Sequence, residues 1–335
     1  MSAARHEAFL LCGPTATGKT AVAHLLAAEL QAAILSADAM LVYRGLDIGT
    51  AKPSAAERAQ FRYGGLDLVD PDQDFDVAAW LDHARAFLAQ VRATGQPVIV
   101  VGGTGLYLKC LLTGLTAQPS ADPVWRAAAE KMNLATLQAY LQQIDAARFA
   151  VLTESDRQNP RRLIRAVELA RGEPNPVPTA PPADPALEPK PQSGAVIRAG
   201  AAPASTPALP HTLIPGLSLP PPLLWERIQT RVSTMFNQGL LEEARRLRAA
   251  YPRLSAHALQ AIGYAEAFAV LDGASAASAA QERIAVRTRQ LAKRQMTWFK
   301  HQASVAWIAA DAPVATVAAQ VRQIWREHGP SALAY

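Results

Sequence analysis

Cysteine is almost absent from this 335-residue chain: Cys12 and Cys110 are the only two, and neither sits in a CxxC pair. That excludes a disulfide scaffold and a thiolate zinc site, and makes a reducing compartment, the cytoplasm, the expected location. The seven histidines show no HxxxH or other ligand spacing, so zinc held through imidazoles is not expected either. No run of 18 or more apolar residues occurs, so no helix is expected to cross a membrane. The opening residues, Met1-Ser2-Ala3-Ala4-Arg5-His6-Glu7, lack the charged-then-apolar layout of a secretory signal. Lysine is scarce as well, at 7 against 26 arginines in a chain of formal charge +5. Arginine suits bidentate phosphate recognition, so the charge is compatible with a polyanionic partner. It is equally compatible with the coding bias of an Ala- and Arg-rich chain.

Hydrophobic residues make up 50%, enough to bury a core in two compact units. Residues 8–12 read as a buried strand ended by Gly13-Pro14, followed by a helix from Lys19 to Gln31 with Val22, Leu25, Leu26 and Leu30 on one stripe. A second strand spans 32–36. A helix over 76–93 has Asp76 as its N-cap, and a third strand over 97–101 runs into Gly102-Gly103-Thr104-Gly105. Strands alternating with helices imply a parallel sheet covered on both faces. From Asp122 to Arg171 the periodicity is helical, with Leu163, Val167 and Ala170 along one stripe. Fifteen of the 25 prolines then fall between 174 and 222, which predicts a long mobile loop over 173–212. Helices are expected over 223–250, 255–271 and 279–300, a last strand over 305–309 and a terminal helix after Ala312. The expected fold class is α/β: a P-loop-type core with a parallel sheet flanked by helices, interrupted by a helical insertion domain. Its parts are 1–118 (first part of the core), 119–172 (insertion), 173–212 (Pro-rich loop) and 213–335 (mostly helical completion of the core).

Gly13-Pro14-Thr15-Ala16-Thr17-Gly18-Lys19-Thr20 matches the full G-x-x-x-x-G-K-[ST] pattern. Glycines let backbone amides close around phosphate oxygens, the following helix presents its positive end, and Lys19 adds a point charge. Thr20 is placed to ligate Mg²⁺ bridging phosphates. Such loops mostly hold nucleoside triphosphates, so a kinase or NTPase is the default reading. The strand over 97–101, however, carries no Asp at its tip to serve as a Walker B carboxylate. Asp38, just past the second strand, should emerge at the same sheet edge as the loop, where open α/β sheets bind ligands. A carboxylate there holds Mg²⁺, takes a proton from a nucleophile, or caps a turn.

The segment Ser36-Ala37-Asp38-Ala39-Met40-Leu41-Val42-Tyr43-Arg44-Gly45-Leu46-Asp47-Ile48-Gly49-Thr50-Ala51-Lys52-Pro53 resembles a signature of bacterial tRNA dimethylallyltransferases. Further matches follow in the family's order. They are Val101 to Tyr107, Asn159 to Glu168, Arg227-Ile228 with Arg231-Val232, Gly239 to Glu243, Ile262-Gly263-Tyr264 and Thr288 to Trp298. This collinear set runs from about residue 9 to 300, far beyond what a lone phosphate loop specifies.

The resemblance implies that Gly13, Thr15, Ala16, Thr17, Gly18, Lys19 and Thr20 bind the diphosphate of dimethylallyl diphosphate, with Mg²⁺ near Thr20. Asp38 matches the family's general base for the adenine N6 amine, and Arg231 matches an arginine that holds the departing diphosphate. The implied tRNA contacts are Asp38, Ala39, Met40, Leu41, Thr104, Arg126, Arg161, Arg162, Leu163, Ile164 and Arg165. The target adenosine has to leave its stack to reach such a site, and the family suggests a monomer.

Some positions depart from the family pattern. Ala39 stands where the family usually has Ser, and Leu41 where many members have Gln. Tyr63-Gly64-Gly65-Leu66-Asp67 replaces a usual His-His-containing segment, Phe75 a common Tyr and Asp76 a Ser. The cations of 283–300 suit either RNA contact or a packed helix with snorkelling side chains. Two rival functions stay open: an ATP-dependent small-molecule kinase using Lys19, Thr20 and Asp38, and an RNA-binding module that lost catalysis.

Overall fold

The computed structural model describes residues 6–115, 123–172 and 213–334. The chain forms two compact units, Met1–Leu115 with Ala208–Tyr335, and Thr116–Pro207. In chain order the first unit begins β1 (His6–Cys12), α1 (Lys19–Leu30), β2 (Ala33–Ser36), α2 (Ala55–Ala59), β3 (Tyr63–Gly64), α3 (Val77–Arg92), β4 (Val98–Gly102) and α4 (Gly105–Thr113). The second unit holds α5 (Pro123–Ala129), α6 (Leu134–Ile144), α7 (Ala146–Val151), α8 (Glu154–Arg157) and α9 (Pro160–Gly172). The chain then completes the first unit with β5 (Ile214–Ser218), α10 (Pro221–Asn237), α11 (Leu240–Ala250), α12 (Tyr264–Leu271), α13 (Ala277–Gln302), β6 (Val305–Ala309), α14 (Val314–His328) and β7 (Ser331–Leu333).

The sheet order is β3-β2-β4-β1-β5-β6, all parallel, with β7 antiparallel on the first residues of β1. Side chains alternate across it. Leu10, Cys12, Leu35 and Val100 face one core with Trp80 and Leu81 of α3, while Leu11, Ile34, Ile99 and Leu217 face another with Val22 and Leu26 of α1 and Val317 and Val321 of α14. Burial on both faces is why these strands read as continuous apolar runs. Two indoles tie helix to sheet edge: Trp80 Nε1 donates to Ser36 O (3.1 Å), and Trp325 Nε1 donates to Leu10 O (3.0 Å). The expected α/β class with a parallel sheet between helices is what the chain adopts.

The helix expected over 223–250 is two helices. Gly239 takes φ +96°, a left-handed conformation that ends one axis and caps the next. The segment over 255–271 splits similarly into a short 3₁₀ turn at Ala258–Gln260 and α12, separated by Gly263 at φ +114°. Strand β5 was not expected, because it lies within the proline-rich stretch 174–222, and proline cannot donate to a ladder. It fits beside β6 because Gly216 lacks a Cβ, which would lie 2.3 Å from Val305 Cγ1. The expected Pro-rich loop over 173–212 lies outside the described residues.

The described residues of the second unit are all helices and turns. Its core contains Trp125, Leu137, Tyr140, Leu141, Leu163, Ile164 and Val167. The side chains of Leu163 and Ile164, both implied tRNA contacts, belong to this core, which leaves only their backbone for such a contact. Both side chains are buried, turned inward by the same periodicity that carries Val167 and Ala170. Glu168 is buried beside them and accepts from Arg126 through Nε and Nη2 (2.8 Å each) and from Arg165 Nη1 (3.1 Å). Leu163→Ala is expected to cost about 2–5 kcal/mol through cavity formation. Urea unfolding checks this, and a variant within 0.5 kcal/mol or so of the parent contradicts the core assignment.

Candidate active site

The strand β1 delivers the chain into the turn from Gly13 to Gly18 at the edge of the sheet where β2 and β4 also end. Gly13 has φ +138°, and a Cβ there would lie 2.5 Å from Leu217 O, so the residue must be glycine for β5 to pair. Gly18 at φ +88° starts α1. Within the turn, Thr17 is buried and its Oγ1 donates to Pro14 O (2.9 Å). Gly13 and Thr17 thus shape the loop rather than line its concavity. The Thr17 hydroxyl is thus used within the turn, which leaves its backbone amide as the group the loop can offer to a phosphate.

Thr15, Ala16, Gly18, Lys19 and Thr20 open onto a cavity of about 640 Å³, whose other walls include Asp38, Leu41, Thr50, Arg227 and Arg231. Arg231 comes from α10. Its Nη1 donates to Thr15 Oγ1 (3.2 Å), its Nη2 donates to Thr50 O (3.1 Å), and its enclosed Nε has no partner. Lys19 Nζ donates to Pro14 O (2.6 Å). Desolvation lowers the Lys19 pKa to about 8; Asp38 opposes that shift and Arg231 adds to it. Desolvation also lowers Arg231 from its ordinary value, again against the pull of Asp38. Lys19, Arg227 and Arg231 thus share the cavity with Asp38, Glu226 and Asp311, and the cations Lys19 and Arg231 stand beside the loop, where they suit an anionic group.

Asp38 sits in a local turn: its Oδ1 accepts from Met40 N (2.9 Å), which leaves Oδ2 for another donor. Thr104 Oγ1 accepts from Ala39 N (3.0 Å), so this residue braces the Asp38 turn from the N-cap of α4. Ala39 and Met40 pack partly buried against the core, and Leu41 faces the cavity. In the second unit, Arg161 and Arg162 are exposed, the latter paired with Asp156, and Arg126 and Arg165 converge on Glu168.

The tip of β4 shows why no carboxylate stands there. A Cβ on Gly102 would lie 2.1 Å from Ala37 O, and one on Gly103 would lie 2.4 Å from Gln295 Nε2. Backbone and an amide fill the space that the Walker B carboxylate of a nucleotide hydrolase would need. Gln295 of α13 is a residue that sequence reasoning quoted without giving it a role. Its Oε1 accepts from Thr15 N (2.8 Å) and its Nε2 donates to Gly103 O (3.1 Å), clamping the phosphate loop to the β4 turn. Tyr63, in the segment that departs from the family pattern, lines the cavity and hydrogen-bonds His24 Nε2 (2.5 Å). Among the described residues no group of three or more His, Cys, Asp or Glu side chains is placed to hold a metal. Thr20 and Asp38 offer hard oxygen donors in one cavity, which fits Mg²⁺ held jointly with substrate phosphates.

A parallel sheet flanked by helices, with a glycine-rich loop at the strand ends and two cations beside it, defines an α/β fold of the P-loop type. The family model described as IPP transferase matches residues 41–302, and the chain belongs to that family. It is 39% identical over 314 residues to the tRNA dimethylallyltransferase of Stenotrophomonas maltophilia (strain K279a), covering 90% of this chain and 92% of that one. It is 39% identical over 346 residues to the tRNA dimethylallyltransferase of Methylibium petroleiphilum, covering 99% and 98%. The crystal structure of the full-length tRNA isopentenylpyrophosphate transferase from Bacillus halodurans superposes with a TM-score of 0.65 at 28% identity, covering 97% of this chain and 98% of that one.

The lowered Lys19 pKa gives a signed expectation. Below about pH 8 the ammonium is charged and attracts the anion; above it the proton is lost and the attraction fades. The ratio of wild-type to Lys19→Met affinity for inorganic pyrophosphate should therefore fall as pH rises through about 8. Titration calorimetry between pH 6.5 and 9.5, roughly one pK unit or more either side, checks it. A ratio independent of pH contradicts the placement of the ammonium at the anion.

Proposed function

We infer that the chain transfers a dimethylallyl group from dimethylallyl diphosphate to the N6 amine of an adenosine adjacent to the anticodon of tRNA, releasing diphosphate. The observation that carries this reading is the meeting of the Thr15–Thr20 loop, Arg231 and Asp38 in one cavity. At the same time backbone occupies the position of a hydrolase's Walker B carboxylate.

The donor's diphosphate lies in the loop against Lys19 and Arg231. As N6 forms a bond to the allylic carbon, the carbon–oxygen bond breaks and its electron pair goes to the leaving diphosphate. The two cations are already placed where that charge grows, so they stabilise the transition state more than the bound donor. Asp38 takes the N6 proton through the oxygen not held by Met40 N. Thr20 would hold Mg²⁺ at the donor's phosphates, and the ion would supply further neutralisation of the leaving group. No covalent enzyme intermediate is needed, and positioning supplies much of the rate.

On the RNA side, Asp38 to Leu41 and Thr104 frame the target base, and the exposed Arg161 and Arg162 bind phosphates. Arg126 and Arg165 contribute through the positive edge left after pairing with Glu168. With Ala39 and Leu41 in place of the usual Ser and Gln, base recognition relies more on apolar contact and backbone groups. No described helix is long and apolar enough to cross a membrane, and we place the enzyme in the cytoplasm as a monomer.

Incubation of bulk tRNA with donor and Mg²⁺, followed by nucleoside mass analysis, should yield an isopentenyl adenosine. Asp38→Asn should slow single-turnover transfer by on the order of 10²–10⁴, and Arg231→Ala by about 10²–10³. An unchanged rate removes that residue from the mechanism. Dimethylallyl diphosphate with Mg²⁺ should raise the melting temperature more than ATP at equal concentration; the reverse order favours a kinase.

A further inference from the structure

The strongest unexplained buried charge in the first unit is Glu243, in the first turn of α11. It is 5% exposed, and among the described residues no cation pairs with it. Its carboxylate is instead surrounded by donors from distant parts of the chain. Oε2 accepts from Asp47 N (3.2 Å) and Ile48 N (2.9 Å), and Oε1 accepts from Ile48 N (3.0 Å), Gly49 N (3.3 Å) and the Tyr264 hydroxyl (2.7 Å). Three consecutive amides converging on one anion form a nest, a stiff arrangement that fixes the turn between Leu46 and Lys52. Tyr264 closes the other side: a Cβ on Gly49 would lie 2.7 Å from its ring, so only glycine admits the contact. Tyr264 is itself seated by Glu266, which accepts from Gly263 N (3.1 Å) and pairs with Arg287.

The turn ends at the catalytic arginine. Thr50, one residue beyond the nest, offers its carbonyl to Arg231 Nη2, while Arg231 Nη1 reaches Thr15 of the phosphate loop. Among the described residues Arg231 Nε has no partner, so the guanidinium is held through Thr15 Oγ1 and Thr50 O, and the position of the Thr50 carbonyl helps decide where its charge sits. We propose that Glu243 is a positioning residue for the transfer reaction: it locks the 47–49 turn so that Thr50 O holds Arg231 over the phosphate loop. This deepens the proposed function and rests on it.

The test pairs Glu243→Gln, which keeps the shape but loses the charge, with Tyr264→Phe, which removes one hydroxyl from the same nest. Each is made in the wild-type and the Arg231→Ala backgrounds. Prenyl transfer to tRNA and the Kd of inorganic pyrophosphate with Mg²⁺ are measured for each. In the wild-type background Glu243→Gln should lower kcat and pyrophosphate affinity by roughly 10–100-fold, and Tyr264→Phe by roughly 3–10-fold, with the KM for tRNA unchanged. In the Arg231→Ala background both should cost less than about 3-fold, because residues acting as one unit are non-additive. Full cost retained after Arg231 is removed, or no cost in either single variant, overturns the proposal. Should Glu243→Gln fail to fold, Tyr264→Phe alone gives the same cycle. A wild-type enzyme that binds pyrophosphate but prenylates no tRNA sinks the functional reading instead, and the pyrophosphate cycle still judges Glu243.

Discussion

Two cations crowded into one cavity organise this molecule. Lys19 and Arg231 come from sequence positions more than two hundred residues apart and both lose solvation where they meet. Burial is the larger cost to both, and Asp38 offsets only part of it. Holding such charges out of water without a matching anion is unfavourable, and the rest of the structure makes it tolerable. Pro14 O and Thr50 O accept from them, Thr15 Oγ1 shares Arg231, and the Gln295 amide pins the loop between. A diphosphate entering this field gains from the arrangement, and gains more as its carbon–oxygen bond breaks and its charge rises. One local field therefore favours both donor binding and the chemistry that follows.

The geometry needed for this depends on where side chains are missing. Gly13 admits β5, Gly102 admits the carbonyl of Ala37, and Gly103 admits Gln295, so the ends of β1, β2, β4 and β5 come together at one edge. The topology then fixes the distribution of chemistry: β1 carries the anion loop, β2 the carboxylate, and α10 follows directly from β5 to bring Arg231 over both. Pro221 and Pro222 at the start of α10 suit a helix that must leave the sheet at a set angle. The volume that a nucleotide hydrolase gives to its Walker B carboxylate is here filled by backbone.

Much of this was legible in the sequence where a signal is local. An apolar run before Gly13 and a lysine after Gly18 announce strand, turn and helix, and Asp38 follows from strand topology together with a resemblance. What escaped has physical reasons. Strand β5 was hidden because it lies within the proline-rich stretch 174–222, and tertiary packing against Val305 overrode that. The break at Gly239 was hidden because Leu240 continues the apolar stripe. Leu163 lies on the stripe with Val167 and Ala170 that reads as core, and the structure buries Leu163 and Ile164 together there. Gln295 and Glu243 lie in matched segments, but their roles were beyond reach, since their partners lie 280 and about 195 residues away.

The central claim is that the loop holds a leaving diphosphate and not a phosphoryl donor. The most direct measurement is product stoichiometry in a single turnover, with tRNA, dimethylallyl diphosphate, ATP and Mg²⁺ all present. The account predicts one pyrophosphate released for each prenylated adenosine formed, with ATP left intact. Consumption of ATP to ADP with a phosphorylated acceptor, and tRNA recovered unchanged, would contradict it.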